Sequence, residues 1–185
     1  MSEKLPKGWV SDYMIKIVYG VKTGVPEFEG EKEYYSTGSI QKDDYTSEGS
    51  YTFDYKPSRA NRIGLLNDVL QARMKETDKG LIINDKLNRQ LFSTGFLQFR
   101  PYGLTYEPKL LYYFIVSPTF LNQRDGLATG STQEALTDAK AVELTIPLPP
   151  FNEQKRIVAK LDAIMPRIEA VKQRLEKVPD ILKRF

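Results

Sequence analysis

The organisation of this chain is decided by one stretch, IPLPPFNEQKRIV, at residues 146–158. Its two consecutive prolines favour an extended connector, because proline fixes φ and lacks the amide hydrogen that regular elements need. Asn152 is a good N-terminal cap for a helix, and Glu153 places a negative charge in the first turn, where the helix dipole favours it. We therefore predict a globular domain at residues 1–150 and a helical region at residues 151–185.

The predicted helix carries apolar residues spaced alternately four and three positions apart, which is the heptad spacing of a coiled coil. The positions of this seam are Ile157, Leu161, Ile164, Ile168, Val171, Leu175, Val178 and Leu182. A helix over residues 152–182 would be about 45 Å long at ~1.5 Å per residue, too long for one small domain to cover. We expect the seam to pair with another helix, bent or interrupted at Pro166 and Pro179. The alternative is a helix folded back on its own domain.

The part of the chain before the double proline has the pattern of a mixed domain. Short runs rich in aromatic and β-branched residues, separated by turn-forming residues, predict strands at residues 51–55, 69–74, 81–83, 95–100 and 142–146. Residues 8–20 indicate a short strand or a helical turn. Helices are predicted at residues 108–116 and 119–124, and a helical turn is predicted near residues 134–141. The predicted fold class is α+β: a β-rich globular domain followed by a long C-terminal helix of the coiled-coil type.

The composition argues against catalysis. The 185 residues include no Cys and no His, which excludes disulfides, thiolate or imidazole zinc sites, Cys nucleophiles and Ser/His/Asp triads. Leu148 stands where the Asn/Asp-Pro-Pro-Tyr motif of amino-methyltransferases has the polar residue that binds the target amino group. The sequence has neither a Walker loop nor a dinucleotide fingerprint. We expect no catalytic site, no metal and no cofactor.

The chain lacks an apolar run of the roughly 18 residues that a membrane span needs, and its N-terminus lacks a signal-peptide core. We expect a cytoplasmic protein without a membrane partner. Its net charge of +3 is unevenly distributed. Residues 55–109 contain ten Lys or Arg against five Asp or Glu, and residues 152–185 contain nine against five. Such local excesses of positive charge are typical of a surface that faces DNA.

Several segments resemble one protein family. Residues 146–158, followed by Lys160-Leu161-Asp162, resemble the end of a target recognition domain and the start of the helix after it in specificity subunits of type I restriction-modification systems. Further segments similar to this family, in the expected order, are Asn67-Asp68-Val69-Leu70 with Ala72-Arg73, Leu111-Tyr112-Tyr113 to Ser117-Pro118, Gly130-Ser131-Thr132-Gln133, and residues 175–185.

The resemblance implies a non-catalytic subunit whose recognition domain reads one half of a bipartite site in double-stranded DNA. It also implies long helices that set the distance to the other half and dock the methyltransferase (modification) subunit, and through it the restriction subunit. The family usually has two recognition domains and two helices, whereas this sequence has one of each. Either the chain is a fragment or a half-length subunit that joins a second specificity half, or two copies pair through their helices and read a symmetric split site.

Candidate DNA contacts come from the basic central segment and from one small-residue loop. Arg and Asn side chains can bind guanine and adenine edges in bidentate fashion, whereas Lys mainly neutralises phosphates. The candidates are Lys56, Ser58, Arg59, Asn61, Arg62, Arg73, Lys75, Lys86, Asn88, Arg89, Ser131, Thr132 and Gln133. The alternative for each is an ordinary solvated loop residue, and Arg73 could instead be an internal ion-pair partner.

A second functional hypothesis is a protein-interaction adaptor, in which the coiled-coil helix is the functional element and the globular domain has no affinity for DNA. Salt-dependent binding to duplex DNA distinguishes the two hypotheses, because phosphate neutralisation releases counterions.

Overall fold

A computed structural model describes residues 5–41, 44–130, 134–176 and 178. The fold is α+β, as predicted, with short strands, three short helices and one long C-terminal helix. The strands are β1 (Val10–Tyr13), β2 (Val18–Gly20), β3 (Lys32–Tyr35), β4 (Ile40–Gln41), β5 (Asp44–Tyr45), β6 (Ser50–Tyr51), β7 (Ala60–Ile63), β8 (Val69–Ala72), β9 (Gly80–Ile82), β10 (Leu91–Ser93), β11 (Phe96–Pro101) and β12 (Thr145–Leu148). The helices are α1 (Met14–Ile17), α2 (Pro108–Ile115), α3 (Pro118–Leu127) and α4 (Phe151–Glu176), with a 3-10 turn at Ala141–Glu143.

Two four-stranded sheets form the body of the domain. One has the order β6-β3-β10-β7 and the other has the order β2-β11-β8-β9, with two further strand pairs, β1-β12 and β4-β5. The second sheet is antiparallel throughout. The first is mixed, because β10 runs parallel to β3 and antiparallel to β7. The sheets are short and irregular, which leaves much of the chain in loops.

The β2-β11-β8-β9 sheet lies in the middle of the domain because its strands are apolar on both faces. Along β8, Val69 points into a core shared with α2 and α3, and the next residue, Leu70, points into a core shared with the other sheet. On β11, Leu97 and Phe96 divide in the same way. This alternation is the period of two that a strand imposes on its side chains. The result is three layers, with helices on one side of the central sheet and the second sheet on the other.

Helices α2 and α3 begin at prolines in their first turns, where the missing amide hydrogen costs nothing. Ser117 caps α3 through its side-chain oxygen, which accepts a bond from the amide of Phe120. The predicted strand at residues 51–55 ends at Tyr51, and the residues after it form a turn. The helical turn predicted near residues 134–141 lies later in the chain than expected: Ala135 forms isolated bridges, residues 138–140 form a turn, and the 3-10 turn follows.

Helix α4 begins at Phe151, one residue before the predicted cap at Asn152. The carbonyl of Pro150 accepts bonds from the amides of Glu153 and Gln154, at 2.8 and 3.0 Å, so the second proline ends the connector and starts the helix. The helix continues through Pro166; its unbroken described stretch ends at Glu176, and Val178 is helical as well. No helix in the described ranges has the length and apolar character that crossing a membrane requires.

Strands β1 and β12 bring the two ends of the globular domain together. They pair in antiparallel register, with Val10 opposite Leu148 and Tyr13 opposite Thr145. The amide of Met14 also donates to the carbonyl of Leu144 at 2.8 Å. The start of the domain therefore lies against the strand that leads into α4.

Candidate nucleic-acid interface and helical seam

The loop between β6 and β7 carries the first group of predicted DNA contacts. Ser58 and Arg59 are exposed, and Tyr55 is 83% exposed. The loop closes in a turn in which the amide of Ala60 donates to the carbonyl of Pro57 at 2.8 Å. A guanidinium and a phenol thus project from a short, hydrogen-bonded loop.

Beside this loop lies a pair of aromatic rings flanked on each side by a lysine, which the sequence did not reveal. The Nζ atom of Lys56 lies 5.4 Å from the ring centre of Phe53, and that of Lys32 lies 5.0 Å from the ring of Phe28. The two rings meet edge to face at 5.7 Å. Because Lys32 is far from Lys56 in sequence, only the fold brings them together. Cation–π contacts of this kind hold the ammonium groups in place and leave their hydrogens available.

The loop between β9 and β10 carries the second group, Lys86, Asn88 and Arg89. Lys86 and Arg89 are exposed, whereas Asn88 is half-buried and accepts a bond from the amide of Leu66 at 3.1 Å. Arg89 has a φ of 63°, in the left-handed region that non-glycine residues rarely adopt. Its amide donates to the carbonyl of Gly64 at 2.7 Å, which holds this conformation. Surrounding structure thus fixes the backbone from which the Arg89 guanidinium projects.

Two other predicted contacts, Arg62 and Arg73, are engaged within the protein. Arg62 is 1% exposed and donates to the carbonyl of Val21 at 2.5 Å and to Asp138 at 3.5 Å. Burial lowers the pKa of Arg62, and Asp138 partly opposes that effect. Arg73 forms an ion pair with the same carboxylate at 2.9 Å, which matches the alternative given for it, an internal ion-pair partner. The burial of Arg62 rules out direct contact with DNA in this conformation, and we assign it a structural role.

Lys75 and Asn61 are also engaged. Lys75 pairs with Glu134 at 2.6 Å, and this hydrogen bond raises the pKa of the lysine. Asn61 is half-buried, and its backbone carbonyl accepts from the amide of Gly24 at 2.9 Å. Ser131, Thr132 and Gln133 lie outside the described residues. Together, the Arg73 and Lys75 ion pairs attach the segment at residues 134–138 to the end of β8.

A buried carboxylate that the sequence analysis did not single out holds the turn before β8. Asp68 accepts two bonds from Arg100, at 2.6 and 2.7 Å, and one from Gln98 at 2.6 Å. It also accepts from the amide of Leu65 at 2.8 Å. Because this carboxylate is fully buried, removing its charge and that of Arg100 from water costs free energy. The bidentate bond in return fixes the geometry of the pair. The one indication of Asp68 in the sequence was its position in the family-like segment Asn67-Asp68-Val69-Leu70.

The C-terminal helix is attached to the domain over its first three turns. Ile157, Val158 and Leu161 are partly buried against the core beneath α2. Gln154 is 1% exposed and bonded to three backbone groups, and Asp162 accepts bonds from Lys109 and Tyr113. The first two positions of the predicted seam, Ile157 and Leu161, therefore pack on their own domain. For these two positions the structure matches the alternative of a helix folded back on its own domain, because the core under α2 supplies apolar surface to them.

The remaining described positions of the seam face solvent. The exposed fractions are 48% for Ile164, 53% for Ile168, 55% for Val171, 64% for Leu175 and 41% for Val178. Leu182 lies outside the described residues. In the part of the chain that the structure describes, these five residues form one continuous apolar stripe on the distal helix.

The opposite side of the distal helix faces a cleft of about 720 Å³. Pro166, Ala170 and Gln173 line it from the helix, and β9 and α2 line it from the domain. Residues two positions apart in a helix point in nearly opposite directions. Ala170 and Gln173, which line the cleft, are each two positions from a seam residue, so the seam points away from the domain.

The described residues contain no group of three or more side chains suited to hold a metal ion. What they do contain is a set of exposed cations on two loops and an unpaired apolar stripe on a projecting helix. The first is suited to a polyanion and the second to another helix.

Comparisons with known proteins agree with this geometry. The family model for the type I restriction modification DNA specificity domain matches residues 21–180. The specificity subunit of the type I restriction enzyme StySPI from Salmonella potsdam is 35% identical over 79 residues, which is 43% of this chain and 17% of that protein. The EcoKI specificity subunit of Escherichia coli K12 is 36% identical over 73 residues, which is 40% of this chain and 16% of that protein.

Solved structures extend the similarity to nearly the whole chain. A chain from the structural study of complex assembly and conformational transition in the type I R-M system has a TM-score of 0.81 at 28% identity, covering 96% of this chain and 47% of that one. The HsdS subunit of Thermoanaerobacter tengcongensis has a TM-score of 0.78 at 27% identity, covering 97% and 48%. The chain thus spans about half the length of both structures. Because the family model covers most of the sequence, this chain belongs to the family of type I restriction modification DNA specificity domains.

Proposed function

We propose that this chain is a non-catalytic specificity subunit that reads one half of a bipartite DNA target. In this proposal the exposed distal seam pairs with another helix, which carries a second recognition domain, and the paired helices dock a methyltransferase subunit. The observation that carries the proposal is the five-residue apolar stripe on a helix whose base is fixed to the domain. An unpaired stripe of this length on a solvent-exposed helix favours association.

The recognition surface in this proposal is formed by the two basic loops and by Lys32 at the start of β3. Arg59 and Arg89 are exposed and can bind base edges, and Lys32, Lys56 and Lys86 supply charge for phosphates. Each of these lysines lies beside an aromatic ring, Lys86 at 5.1 Å from the ring centre of Tyr45, so their ammonium groups are positioned before DNA arrives. Less ordering is then needed on binding.

The seam admits a second copy of this chain or a different specificity half as its partner. A symmetric pair would read an inverted repeat, because a two-fold axis relates both helices and both recognition domains. A different half would give an asymmetric bipartite site. The same stripe is also what the adaptor hypothesis needs, so DNA binding is the property that separates the two functions.

The test is co-expression of the chain with its methyltransferase subunit in a host free of other methylation, followed by genome-wide mapping of modified bases. We expect a bipartite motif with a fixed number of unread base pairs between its halves. A symmetric motif would identify self-pairing, and an asymmetric motif obtained only with a second specificity chain would identify the heterologous pair. Normal complex formation without any methylated motif would contradict the recognition function and support the adaptor.

Individual contacts are tested with the mapped site. Changing Arg59 or Arg89 to Ala should weaken binding by about tenfold or more, in line with ~1–3 kcal/mol for a bidentate base contact. A base contact also flattens the preference at one position, whereas a phosphate contact weakens binding to all sequences alike. Arg167→Ala, on an exposed part of the helix, is the control for lost charge away from the loops. Unchanged affinity in both loop variants would remove these loops from the interface.

A further inference from the structure

Two polar side chains join the C-terminal helix to the domain, and we propose that they set the spacing between the two halves of the DNA site. Gln154 and Asp162 act as positioning residues: they fix the direction in which α4 leaves the domain. This inference rests on the proposed bipartite function. The structural basis is a pair of directional contacts on one helix, about 12 Å apart at ~1.5 Å per residue.

Gln154 anchors the start of the helix through backbone groups from two separate segments. Its Oε1 atom accepts a bond from the amide of Glu107 at 2.7 Å. Its Nε2 atom donates to the carbonyls of Thr105 and Pro149, at 3.2 and 3.0 Å. The side chain is 1% exposed, so water cannot replace these partners. A primary amide satisfies one donor and two acceptors in this arrangement, whereas a carboxylate or an apolar side chain would leave a buried group unpaired.

Asp162 anchors the helix two turns further on. Its carboxylate accepts a bond from Nζ of Lys109 at 2.7 Å and one from the hydroxyl of Tyr113 at 2.6 Å. Both donors lie on one face of α2, four positions apart. Lys109 first and Tyr113 second lower the pKa of Asp162, so the carboxylate is charged at neutral pH. Two donors on a neighbouring helix restrict rotation of α4 as well as its distance from α2.

Apolar contacts between the two anchors do not fix direction in the same way. Ile157, Val158 and Leu161 pack against the core, and such packing tolerates small shifts along a surface. Hydrogen bonds weaken steeply when their angles change. The polar pair therefore selects one orientation from the range that the apolar contact permits.

The length of the projecting helix makes this orientation matter. From Asp162 to Glu176 the helix extends about 21 Å at ~1.5 Å per residue. A tilt of about 10° at Asp162 would move the far end by roughly 4 Å, which is close to the ~3.4 Å rise of one base pair. Discrimination between spacers that differ by one base pair thus requires a joint held more tightly than about 10°.

The experiment measures binding of the chain, assembled with its partners, to duplexes whose half-sites are separated by the mapped spacer or by one base pair more or less. The variants are Gln154→Ala, Asp162→Asn and Tyr113→Phe. Gln173→Ala, a glutamine change on the same helix beyond the joint, is the matched control. We expect discrimination between spacers to fall by about tenfold in Gln154→Ala and Asp162→Asn and by less in Tyr113→Phe, as one lost directional bond implies. The sequence read within each half-site should not change.

Each outcome bears on a specific claim. If spacer discrimination is unchanged while only thermal stability falls, Gln154 and Asp162 are merely structural and the inference is overturned. If Gln154→Ala fails to fold, Asp162→Asn and Tyr113→Phe decide, because both changes lie on partly exposed side chains. If the unmodified protein shows no dependence on spacer length, the bipartite function itself fails. Equal loss of discrimination in the Gln173→Ala control would also contradict the assignment to the joint.

Discussion

The two halves of helix α4 have the same apolar spacing and opposite surroundings. Ile157 and Leu161 lie against the core of their own domain, whereas Ile168, Val171 and Leu175 are more than half exposed. The heptad spacing is unchanged between them, so spacing alone does not show whether a position meets its own domain or another chain. The difference arises because the seam packs on the core only as far as Leu161, whereas beyond Asp162 a cleft lies between the helix and the domain and the seam faces away from it.

The largest effect should follow from charging the exposed half. The double substitution Ile168→Asp and Leu175→Asp should weaken association through the seam by more than about 100-fold, because each carboxylate would be buried without a partner. The thermal stability of the isolated chain should remain close to that of the unmodified protein. Sedimentation equilibrium across micromolar concentrations measures association, with the chain alone if the mapped motif is symmetric and mixed with the second specificity half if it is asymmetric. Lys172→Asp, on an exposed position outside the seam, is the control. Equal association of all three proteins would show that the stripe is not the pairing surface.

Replacing Pro166 should stabilise the helix where its attached half meets its exposed half. Pro166 cannot donate to the carbonyl of Asp162, so Pro166→Ala restores one backbone bond at the point where the helix leaves the domain. We expect the helix around residues 162–170 to be stabilised by up to about 3 kcal/mol, the intrinsic cost of proline in a helix interior. Hydrogen exchange should then slow at these amides and remain unchanged in α2. Faster exchange near residue 166 would contradict this expectation.

Truncating a single apolar side chain should lower the free energy of unfolding in the attached half of α4 and leave it nearly unchanged in the exposed half. Ile157→Ala should lower the free energy of unfolding by about 1–2 kcal/mol, toward the low end of the range for core truncations because the residue is only partly buried. Ile168→Ala should change it by less than about 0.5 kcal/mol at concentrations where the chain is monomeric. Urea unfolding followed by circular dichroism measures both. Similar losses in the two variants would mean that the distal half also packs on the domain.

The smallest expected effect is the pH dependence of the stability that Asp162 contributes at the end of the attached half of α4. The folded pKa of Asp162 lies below its usual value of 3.8, so its contribution to stability is present above that value and is lost as the pH falls through the lowered pKa. The pair with Lys109 is partly exposed, and its contribution should be at most about 1 kcal/mol. The stability difference between the unmodified protein and Asp162→Asn should therefore shrink on acidification. A difference that is constant down to about pH 3 would contradict this linkage.

Sequence patterns predicted those elements whose signals are local. The double proline, the α2 helix after Pro108 and the strand around Phe96 lie where expected, because turn formers and apolar periodicity act over a few residues. Residues 51–55 were less predictable: their aromatic residues are typical of a strand, but Tyr55 is exposed to solvent on a loop.

The candidate site was less predictable, because exposure is a tertiary property. Arg59 and Arg62 are three positions apart in one basic segment, yet one is exposed and the other is almost completely buried beside Asp138. The sequence offers no local sign of that carboxylate, which lies 76 positions away. The anchoring role of Gln154 was hidden for the same reason, since its backbone partners come from two separate segments.

The pairing of β1 with β12 has a consequence for how such a protein can change its specificity. Val10 and Leu148 are register partners, so the polypeptide comes into the recognition domain and leaves it through adjacent strands. The segment between them can be exchanged as one unit with α4 kept in place if the new segment preserves both neighbouring junctions and the α2 groups that hold α4, Lys109 and Tyr113. Under the proposed function, such an exchange would change the DNA sequence that is read and leave unchanged the helix that sets the spacing.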